Sequence, residues 1–276
     1  MLISNAPIAR WRAIRVAVLC TLVAGTVAAT ASTAVQAQPT VDHQRFDALL
    51  RQHVVNGFVD YDAFARAPEF GQYLASLDRV RPELLDDDER LAFWINAYNA
   101  FTIQLIVVHH ESESIRNINK SLGVLQLKGP WSAPIVRAAG RRLSLDEVSH
   151  GIIRKEFGEP RIHFALVCAA MSCPPLRSEA YTGARLVEQL NDQSRRFLRE
   201  SPTKNRFERR VLNVSPILTA YRSDFGPTPQ DLGRALAPWF EGANKEMLMK
   251  GHALIRATSF DWTLNSQANA KVRGLR

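Results

Sequence analysis

Several familiar catalytic signatures are missing from this chain of 276 residues. It has no His-Glu-x-x-His pair, no glycine-rich phosphate loop and no Gly-x-Ser-x-Gly element. These absences argue against the common patterns of zinc hydrolases, P-loop nucleotide-binding proteins and serine hydrolases. The Gly129-Pro-Trp131 segment predicts a turn rather than a phosphate-binding loop.

The chain also lacks a basic cluster interleaved with aromatic residues, although its formal net charge is +8. We therefore expect no nucleic-acid partner, since the positive charge is spread over a solvated surface. No repeat, low-complexity tract or long linker divides the sequence. Residues 38–276 are long enough to bury one sizeable core, and we expect them to form a single domain.

The first 37 residues contain no acidic residue and carry three arginines, Arg10, Arg12 and Arg15. An apolar run follows, and Val35-Gln-Ala37 offers the small residues of a cleavage site. This order predicts a signal peptide over residues 1–37 and a periplasmic or secreted protein. An uncleaved membrane anchor is the alternative, because the run approaches the ~20 residues that span a bilayer. After cleavage we expect no further membrane span, because no second apolar run looks long enough to cross.

Cysteine is scarce, with three in the whole chain. Cys20 lies in the predicted signal peptide in a poor lipobox context, so cleavage would leave only Cys168 and Cys173.

The pattern of apolar residues predicts helices mixed with a few strands, without regular strand–helix alternation. This favours an α+β fold with helices around a small, mainly antiparallel sheet. The predicted helices cover about residues 41–55, 89–108, 144–157, 184–200 and 228–240, and the predicted strands begin near residues 161, 210 and 252.

The predicted helix over residues 89–108 is apolar almost all round, which is typical of a helix in the middle of a fold. Asn96 and Asn99 interrupt this pattern and share one helix face. Buried amides need hydrogen-bond partners. They either hold neighbouring loop backbone or, as the functional alternative, orient a catalytic histidine or bind a substrate amide.

The stretch from Arg161 to Leu176 carries a histidine and both remaining cysteines, and ends its apolar run at Pro174-Pro175. If residues 161–168 form a strand, alternation directs His163 and Cys168 to opposite faces. Cys173, beyond the turn, can then fold back toward His163 as a nucleophile. The alternatives are a Cys168–Cys173 disulfide, which export favours, or two inert buried thiols.

Several motifs of this chain resemble the family known as domain of unknown function 547, over nearly all of residues 38–276 and most strongly over about 88–226. The motifs are Leu91-Ala-Phe-Trp-Ile-Asn-Ala-Tyr-Asn99, Gly129-Pro-Trp131, Leu143-Ser-Leu-Asp with His150, His163-Phe-Ala-Leu-Val-Cys168, Ser172-Cys-Pro-Pro-Leu176, Tyr221-Arg with Asp224-Phe225, and Phe260-Asp-Trp-Thr-Leu-Asn265.

That resemblance implies a fold like that of papain-like and transglutaminase-like cysteine enzymes, and a thiol hydrolase or acyltransferase activity. One departure is Ser149, where family members often carry glutamate before the helix histidine. If that carboxylate orients the imidazole, Asp146, Glu147 or Asn96 has to replace it.

The sequence thus predicts a candidate active site with Cys173 as nucleophile, His163 or His150 as base and Asn96 as an orienting or oxyanion-binding residue. The expected reaction breaks an amide or thioester bond, in a cell-envelope peptide or a small thiol-containing substrate. The alternative is a non-catalytic envelope binding module with a structural Cys168–Cys173 disulfide. No cofactor or metal is expected, because neither His109-His110-Glu111 nor the spacing of His163 with the two cysteines is a recognised zinc pattern.

Overall fold

Helices dominate the structure, a computed structural model that describes residues 39–118, 129–200 and 205–275. The predicted signal peptide, residues 1–37, lies outside the described residues. The α-helices are α1 Gln44–His53, α2 Tyr61–Arg66, α3 Pro68–Leu77, α4 Asp87–His109, α5 Arg154–Phe157, α6 Ile162–Ala165, α7 Leu186–Arg199, α8 Pro216–Ala220, α9 Pro229–Leu236, α10 Gly242–Met249 and α11 Gln267–Val272.

Shorter helical segments complete these elements. A π-helix, Glu147–Ile153, runs directly into α5. The 3₁₀ turns are Pro82–Leu84, Ile115–Asn117, Pro130–Ser132, Gly183–Arg185, Arg222–Asp224 and Ala237–Trp239.

The seven strands of the described residues form three small sheets rather than the one sheet expected. They are β1 Val54–Val55, β2 Phe58–Val59, β3 Val136–Ala138, β4 Arg141–Leu143, β5 Arg206–Glu208, β6 Val211–Val214 and β7 Leu254–Ala257. The pairs β1–β2, β3–β4 and β5–β6 are antiparallel, whereas β6 and β7 are parallel. The fold is mixed α+β, as predicted, with helices as its main framework.

Helix α4 occupies the centre of the larger apolar core, with residues from α1, α3 and the π-helix packed around it. Its first turn is capped by Asp86, whose carboxylate accepts a 2.8 Å hydrogen bond from the backbone N–H of Glu89. Contrary to the expectation that no second run is long enough, α4 has the length and composition of a membrane span. However, 83% of its apolar window is buried within the protein, as in the core helix of a globular fold.

A second, smaller apolar cluster joins α7, β6, α8 and α9. Phe164 belongs to this cluster, whereas its neighbours Ile162 and Ala165 belong to the larger one. Helix α6, which carries His163, therefore lies where the two clusters meet.

The strand predicted from residue 161 is wrong, because residues 162–165 form helix α6. The backbone turns at Glu159 and Pro160, whose carbonyls accept hydrogen bonds from Ile162 and His163. A short apolar run that is buried on all sides does not reveal by its pattern whether it is strand or helix.

Candidate active site

A cavity of about 360 Å³ opens beside α6. It is bordered by α4, the π-helix, the segment that follows α6, α8 and the chain near Phe260. The lining residues are Tyr98, Trp131, Asp146, Ser149, His150, Arg154, His163, Leu166, Cys168, Pro216, Ile217, Ala220, Tyr221, Phe260 and Trp262. It therefore contains both predicted histidines and one of the two predicted cysteines.

His163 is held at the edge of this cavity by two contacts. Its Nε2 lies 2.7 Å from Oδ2 of Asp224, and its ring stacks on Tyr221 with 4.4 Å between ring centroids and 12° between planes. Only 5% of the residue is exposed. A ring fixed by stacking and by a hydrogen bond is oriented before any ligand binds, which is what a catalytic base requires.

Asp224 receives its charge partner from α5. Nε of Arg154 donates a 2.7 Å hydrogen bond to Oδ2 of Asp224, and Nη2 donates another of 2.7 Å to Oδ1. These bonds from Arg154 lower the pKa of Asp224 to about 2 against the opposing effect of burial, and the contact with His163 acts in the same direction as Arg154. Asp224 is therefore ionised at neutral pH and can only accept hydrogen bonds.

The charge of Asp224 determines which nitrogen of His163 carries a proton. Burial lowers the pKa of His163, although the hydrogen bond to Asp224 opposes this shift, so the imidazole is neutral at neutral pH. Since Asp224 can only accept, the proton of the neutral ring lies on Nε2. The lone pair is then on Nδ1, which has no hydrogen-bond partner among the described residues.

His150 has a different arrangement, although it lines the same cavity. Its Nδ1 lies 3.0 Å from Nη1 of Arg154, which can only donate, so this nitrogen is the acceptor. Its Nε2 lies 4.0 Å from Oδ1 of Asp146, at the limit of an ion pair. Nδ1 of His150 is thus already engaged by Arg154, whereas Nδ1 of His163 has no such partner among the described residues.

The π-helix contributes two adjacent residues to the cavity lining, Ser149 and His150, and Arg154 follows from the start of α5. Single-turn π-segments are rare and often lie at functional sites. Glu147 does not take over the role of the glutamate that family members often carry at the position of Ser149. Its carboxylate accepts hydrogen bonds from the backbone N–H and the hydroxyl of Ser144 instead.

The two cysteines form a disulfide, with a Cα–Cα distance of 5.7 Å. Cys168 is half-buried and lines the cavity, whereas Cys173 is 0% exposed and does not line it. The backbone N–H of Ala170 donates a 3.2 Å hydrogen bond to Sγ of Cys173. The expectation that His163 and Cys168 face apart is wrong, because it assumed the alternation of a strand.

Asn96 and Asn99 both hold backbone, as the structural alternative predicted. Asn96 exchanges hydrogen bonds of 2.7 and 2.9 Å with the carbonyl and N–H of Tyr181 and does not line the cavity. Asn99 donates 3.0 Å to the carbonyl of Ala165 and accepts 3.0 Å from the N–H of Val167. Asn99 therefore fixes the segment between His163 and Cys168, and acts on the site through its backbone.

Three aromatic side chains, Trp131, Phe260 and Trp262, form one aromatic part of the cavity wall. Trp131 and Trp262 have their ring centroids 5.9 Å apart, and Phe260 lies 4.3 Å from Trp262. This chain segment is tied to the disulfide loop, since Met171 donates 2.8 Å to the carbonyl of Thr263. The wall and the sulfur of Cys168 are therefore fixed relative to each other.

Metal ligation has no support within the part of the chain that the structure describes. No group of three His, Cys, Asp or Glu residues there could hold an ion.

Residues 82–198 match the family described as "Protein of unknown function, DUF547". Residues 82–198 therefore belong to the DUF547 family. No curated protein and no solved structure matches this chain. The likeness to papain-like and transglutaminase-like enzymes therefore stays a prediction.

The DUF547 match covers only part of the cavity. Arg154, His163 and Cys168 lie inside residues 82–198, whereas the lining residues Tyr221 and Trp262, and Asp224 that contacts His163, lie beyond the match. The site thus combines the DUF547 segment with the C-terminal part of the chain.

Sequence reasoning missed Arg154 and gave no role to Asp224 or Tyr221. The available signal was the motif Tyr221-Arg with Asp224-Phe225, which was recognised without a function. Asp224 stands 61 residues from His163 and 70 from Arg154, and no local spacing predicts such contacts.

Proposed function

We propose that the cavity is the active site of a cysteine-dependent hydrolase or acyltransferase that acts on an amide or thioester bond. Cys168 is the nucleophile once its disulfide with Cys173 is opened, His163 is the base and Asp224 orients it. The observation that carries this proposal is the imidazole of His163, which Asp224 fixes through Nε2 and which lines the same cavity as Cys168.

The nucleophile of this proposal is Cys168 rather than Cys173, the residue favoured by the sequence. Cys173 is fully buried and does not border the cavity, so an acyl group has no route to its sulfur. Cys168 is half-buried at the cavity wall. A thiol beside an imidazole base is the usual activated nucleophile of cysteine enzymes.

The chemistry follows from these roles. His163 takes the thiol proton of Cys168 at Nδ1, and the thiolate attacks the substrate carbonyl carbon. The tetrahedral intermediate collapses, the bond to the leaving amine or thiol breaks, and His163 returns the proton to that leaving group. Water or an acceptor amine then attacks the thioester, giving its proton to His163, and Cys168 is released as thiolate.

Asp224 stabilises this cycle at the step where His163 becomes cationic. An ionised carboxylate 2.7 Å from Nε2 favours the imidazolium and fixes the tautomer that leaves Nδ1 available. Arg154 keeps Asp224 ionised through its two hydrogen bonds. The aromatic wall of Trp131, Phe260 and Trp262 suits an apolar portion of the substrate beside the reacting carbonyl.

The compartment belongs to the same proposal. A signal peptide over residues 1–37 would deliver the protein to the periplasm or the exterior, where a disulfide persists and cell-envelope peptides are at hand. The reaction then depends on a thiol reductant in that compartment.

Acylation of the reduced protein tests the proposal. A small activated thioester is added after treatment with dithiothreitol, and intact mass with peptide mapping locates the acyl group. We expect a thioester on Cys168, none in Cys168→Ser, and acylation without reductant in Cys173→Ser. His163→Gln should slow acylation by about 100-fold or more, in the range of a lost general base. Equal acylation of wild type and Cys168→Ser would overturn the proposal.

The second candidate function is a non-catalytic binding module. The disulfide itself favours it, because an oxidised Cys168 is no nucleophile and the aromatic wall alone can hold a ligand. Reduced protein that is correctly folded but never acylated on Cys168 would favour this second function.

A further inference from the structure

We propose that Cys168 is a thiol-exchange site, where a low-molecular-mass thiol enters the cavity, attacks the Cys168–Cys173 disulfide and forms a mixed disulfide on Cys168. The exchange stands on the geometry of the two sulfurs. Its consequence, the release of a nucleophile, rests on the proposed function.

The two sulfurs differ in access. Cys168 borders a cavity of about 360 Å³, whereas Cys173 is 0% exposed among core residues. Thiol–disulfide exchange requires the attacking thiolate to reach one sulfur directly. A small thiol in the cavity reaches Cys168, and attack on Cys173 would require the core to open. A cavity of this size admits a small organic molecule, whereas a cysteine on the surface of a folded protein enters it less easily.

The leaving sulfur already has a hydrogen-bond donor. The backbone N–H of Ala170 lies 3.2 Å from Sγ of Cys173 and donates to it. A hydrogen bond to the charged form favours that form, so this amide stabilises the thiolate that leaves. A better-stabilised leaving thiolate accelerates exchange. The difference in access and the position of the donor therefore both favour attack at Cys168 with Cys173 as the leaving sulfur.

The proton has an acceptor in the same cavity. Nδ1 of His163 carries the lone pair of the neutral ring and can take the proton of the incoming thiol. The resulting thiolate attacks Sγ of Cys168, the Cys168–Cys173 bond breaks, and a new S–S bond joins Cys168 to the small thiol. Cys173 leaves as a thiolate with the electron pair of the broken bond, stabilised by the N–H of Ala170, and His163 keeps the proton as imidazolium.

A second molecule of the small thiol completes the opening. It attacks the sulfur of the small thiol in the mixed disulfide, so the two small thiols leave as their own disulfide and Cys168 is released as a thiol. The small thiol is the reductant, and each protein disulfide consumes two of its molecules. This step supplies the free Cys168 that the proposed acylation needs.

The test uses the full oxidised chain and glutathione. The protein is treated briefly with reduced glutathione, quenched with acid, unfolded and alkylated with N-ethylmaleimide near neutral pH, and mapped by mass spectrometry without reduction. We expect glutathione on Cys168 and N-ethylmaleimide on Cys173 in the intermediate. Glutathione on Cys173, or on both cysteines equally, would overturn the proposal. The proposal would also be overturned if a protein dithiol such as thioredoxin reduced the disulfide rapidly while glutathione formed no adduct.

Single-cysteine variants give a matched comparison that does not depend on the disulfide. Cys173→Ser keeps Cys168 and Cys168→Ser keeps Cys173, and circular dichroism checks that both are folded. We expect glutathione disulfide to modify Cys168 at least about tenfold faster than Cys173, since accessible thiols exchange and buried ones do not. Equal rates in folded variants would contradict the assignment.

The two proposals fail in different ways. A glutathione adduct on Cys168 in a protein that is never acylated leaves the exchange site standing and removes the enzyme. If reduced Cys168 is acylated but the oxidised protein never forms a glutathione adduct, the enzyme proposal stands and the exchange site is removed.

Discussion

Nε2 of His163 lies 2.7 Å from Oδ2 of Asp224, although 61 residues separate them in the chain. Asp224 is in turn held by Arg154 through two hydrogen bonds of 2.7 Å. The three side chains form one network at the cavity, in which Arg154 fixes the charge of Asp224 and Asp224 fixes the proton of His163.

Replacing Asp224 by asparagine should therefore change the pKa of His163. The carboxylate raises the pKa of His163 against the effect of burial, so Asp224→Asn should lower that pKa further. An NMR titration of the imidazole measures it. The control is Asp146→Asn, whose side chain lies 4.0 Å from His150 and should leave the titration of His163 unchanged. An unchanged titration of His163 in Asp224→Asn would show that the contact does not control the ring.

The two cavity histidines should respond unequally to substitution. Nδ1 of His150 already contacts Arg154, whereas Nδ1 of His163 has no such partner within the described residues. His163→Gln should reduce acylation of Cys168 by about 100-fold or more, and His150→Gln by less than about tenfold. The rate of acyl-enzyme formation measures both. A greater loss of acylation in His150→Gln than in His163→Gln would show that His150, and not His163, is the base.

Asn99 should contribute more to the site than its position in a core helix suggests. Its amide bonds both Ala165 and Val167, and Asn99→Ala leaves two buried backbone groups without partners. We expect a loss of about 1–3 kcal/mol for each unsatisfied group in the free energy of unfolding, measured by urea denaturation. Gln104→Ala is the control, because Gln104 is on the same helix and half-buried. Equal stabilities of the two variants would contradict the role of Asn99.

The disulfide should add little to stability, since Cys168 and Cys173 are five residues apart. A loop this short should contribute less than the ~3 kcal/mol expected for a 15-residue loop. The double variant Cys168→Ser, Cys173→Ser should therefore remain folded and lose less than that amount, as should wild type in reductant. A double variant that does not fold would show a mainly structural disulfide and would count against a reversible one.

His43 should make the protein sensitive to acid. It is buried, its Nδ1 lies 2.8 Å from the hydroxyl of Tyr73, and burial lowers its pKa to about 4, with Asp42 opposing the shift. The unfolded state, with an ordinary histidine pKa near ~6.5, then binds the proton first as pH falls. Stability is present above that value and decreases through this window by about 3 kcal/mol.

His43→Gln should remove most of this pH dependence, as measured by urea unfolding at several pH values. His252→Gln, at an exposed position, should leave it as in wild type. Burial also lowers the pKa of His163, so part of the loss of stability in acid should remain in His43→Gln. An identical loss of stability in wild type and His43→Gln would contradict this assignment.

Much of the helical framework could be predicted because its signals are local. Asp86 caps α4, and Thr228 with Asp231 forms a capping box at α9, close to the starts of the helices predicted over residues 89–108 and 228–240. The predicted helix over 184–200 and the strands near 210 and 252 are likewise present as α7, β6 and β7. Caps, breakers and apolar spacing act over a few residues, so one sequence reveals them.

The candidate site was harder to predict, because its geometry depends on contacts between distant segments. The stretch from Ile162 to Val167 is shaped by Asn99 on α4, and its apolar pattern alone suggested a strand. That error placed Cys168 away from His163 and favoured Cys173. The pairing of the cysteines was foreseen as one alternative, but which sulfur borders the cavity follows only from packing.

The central claim is that His163 acts on the thiol of Cys168. The most direct test is the alkylation rate of Cys168 by iodoacetamide as a function of pH, in Cys173→Ser with and without the further change His163→Gln. With His163 present, the rate should rise with a midpoint clearly below that of an isolated thiol, whereas His163→Gln should return the midpoint to about 8.5. Identical pH profiles in the two variants would contradict the claim.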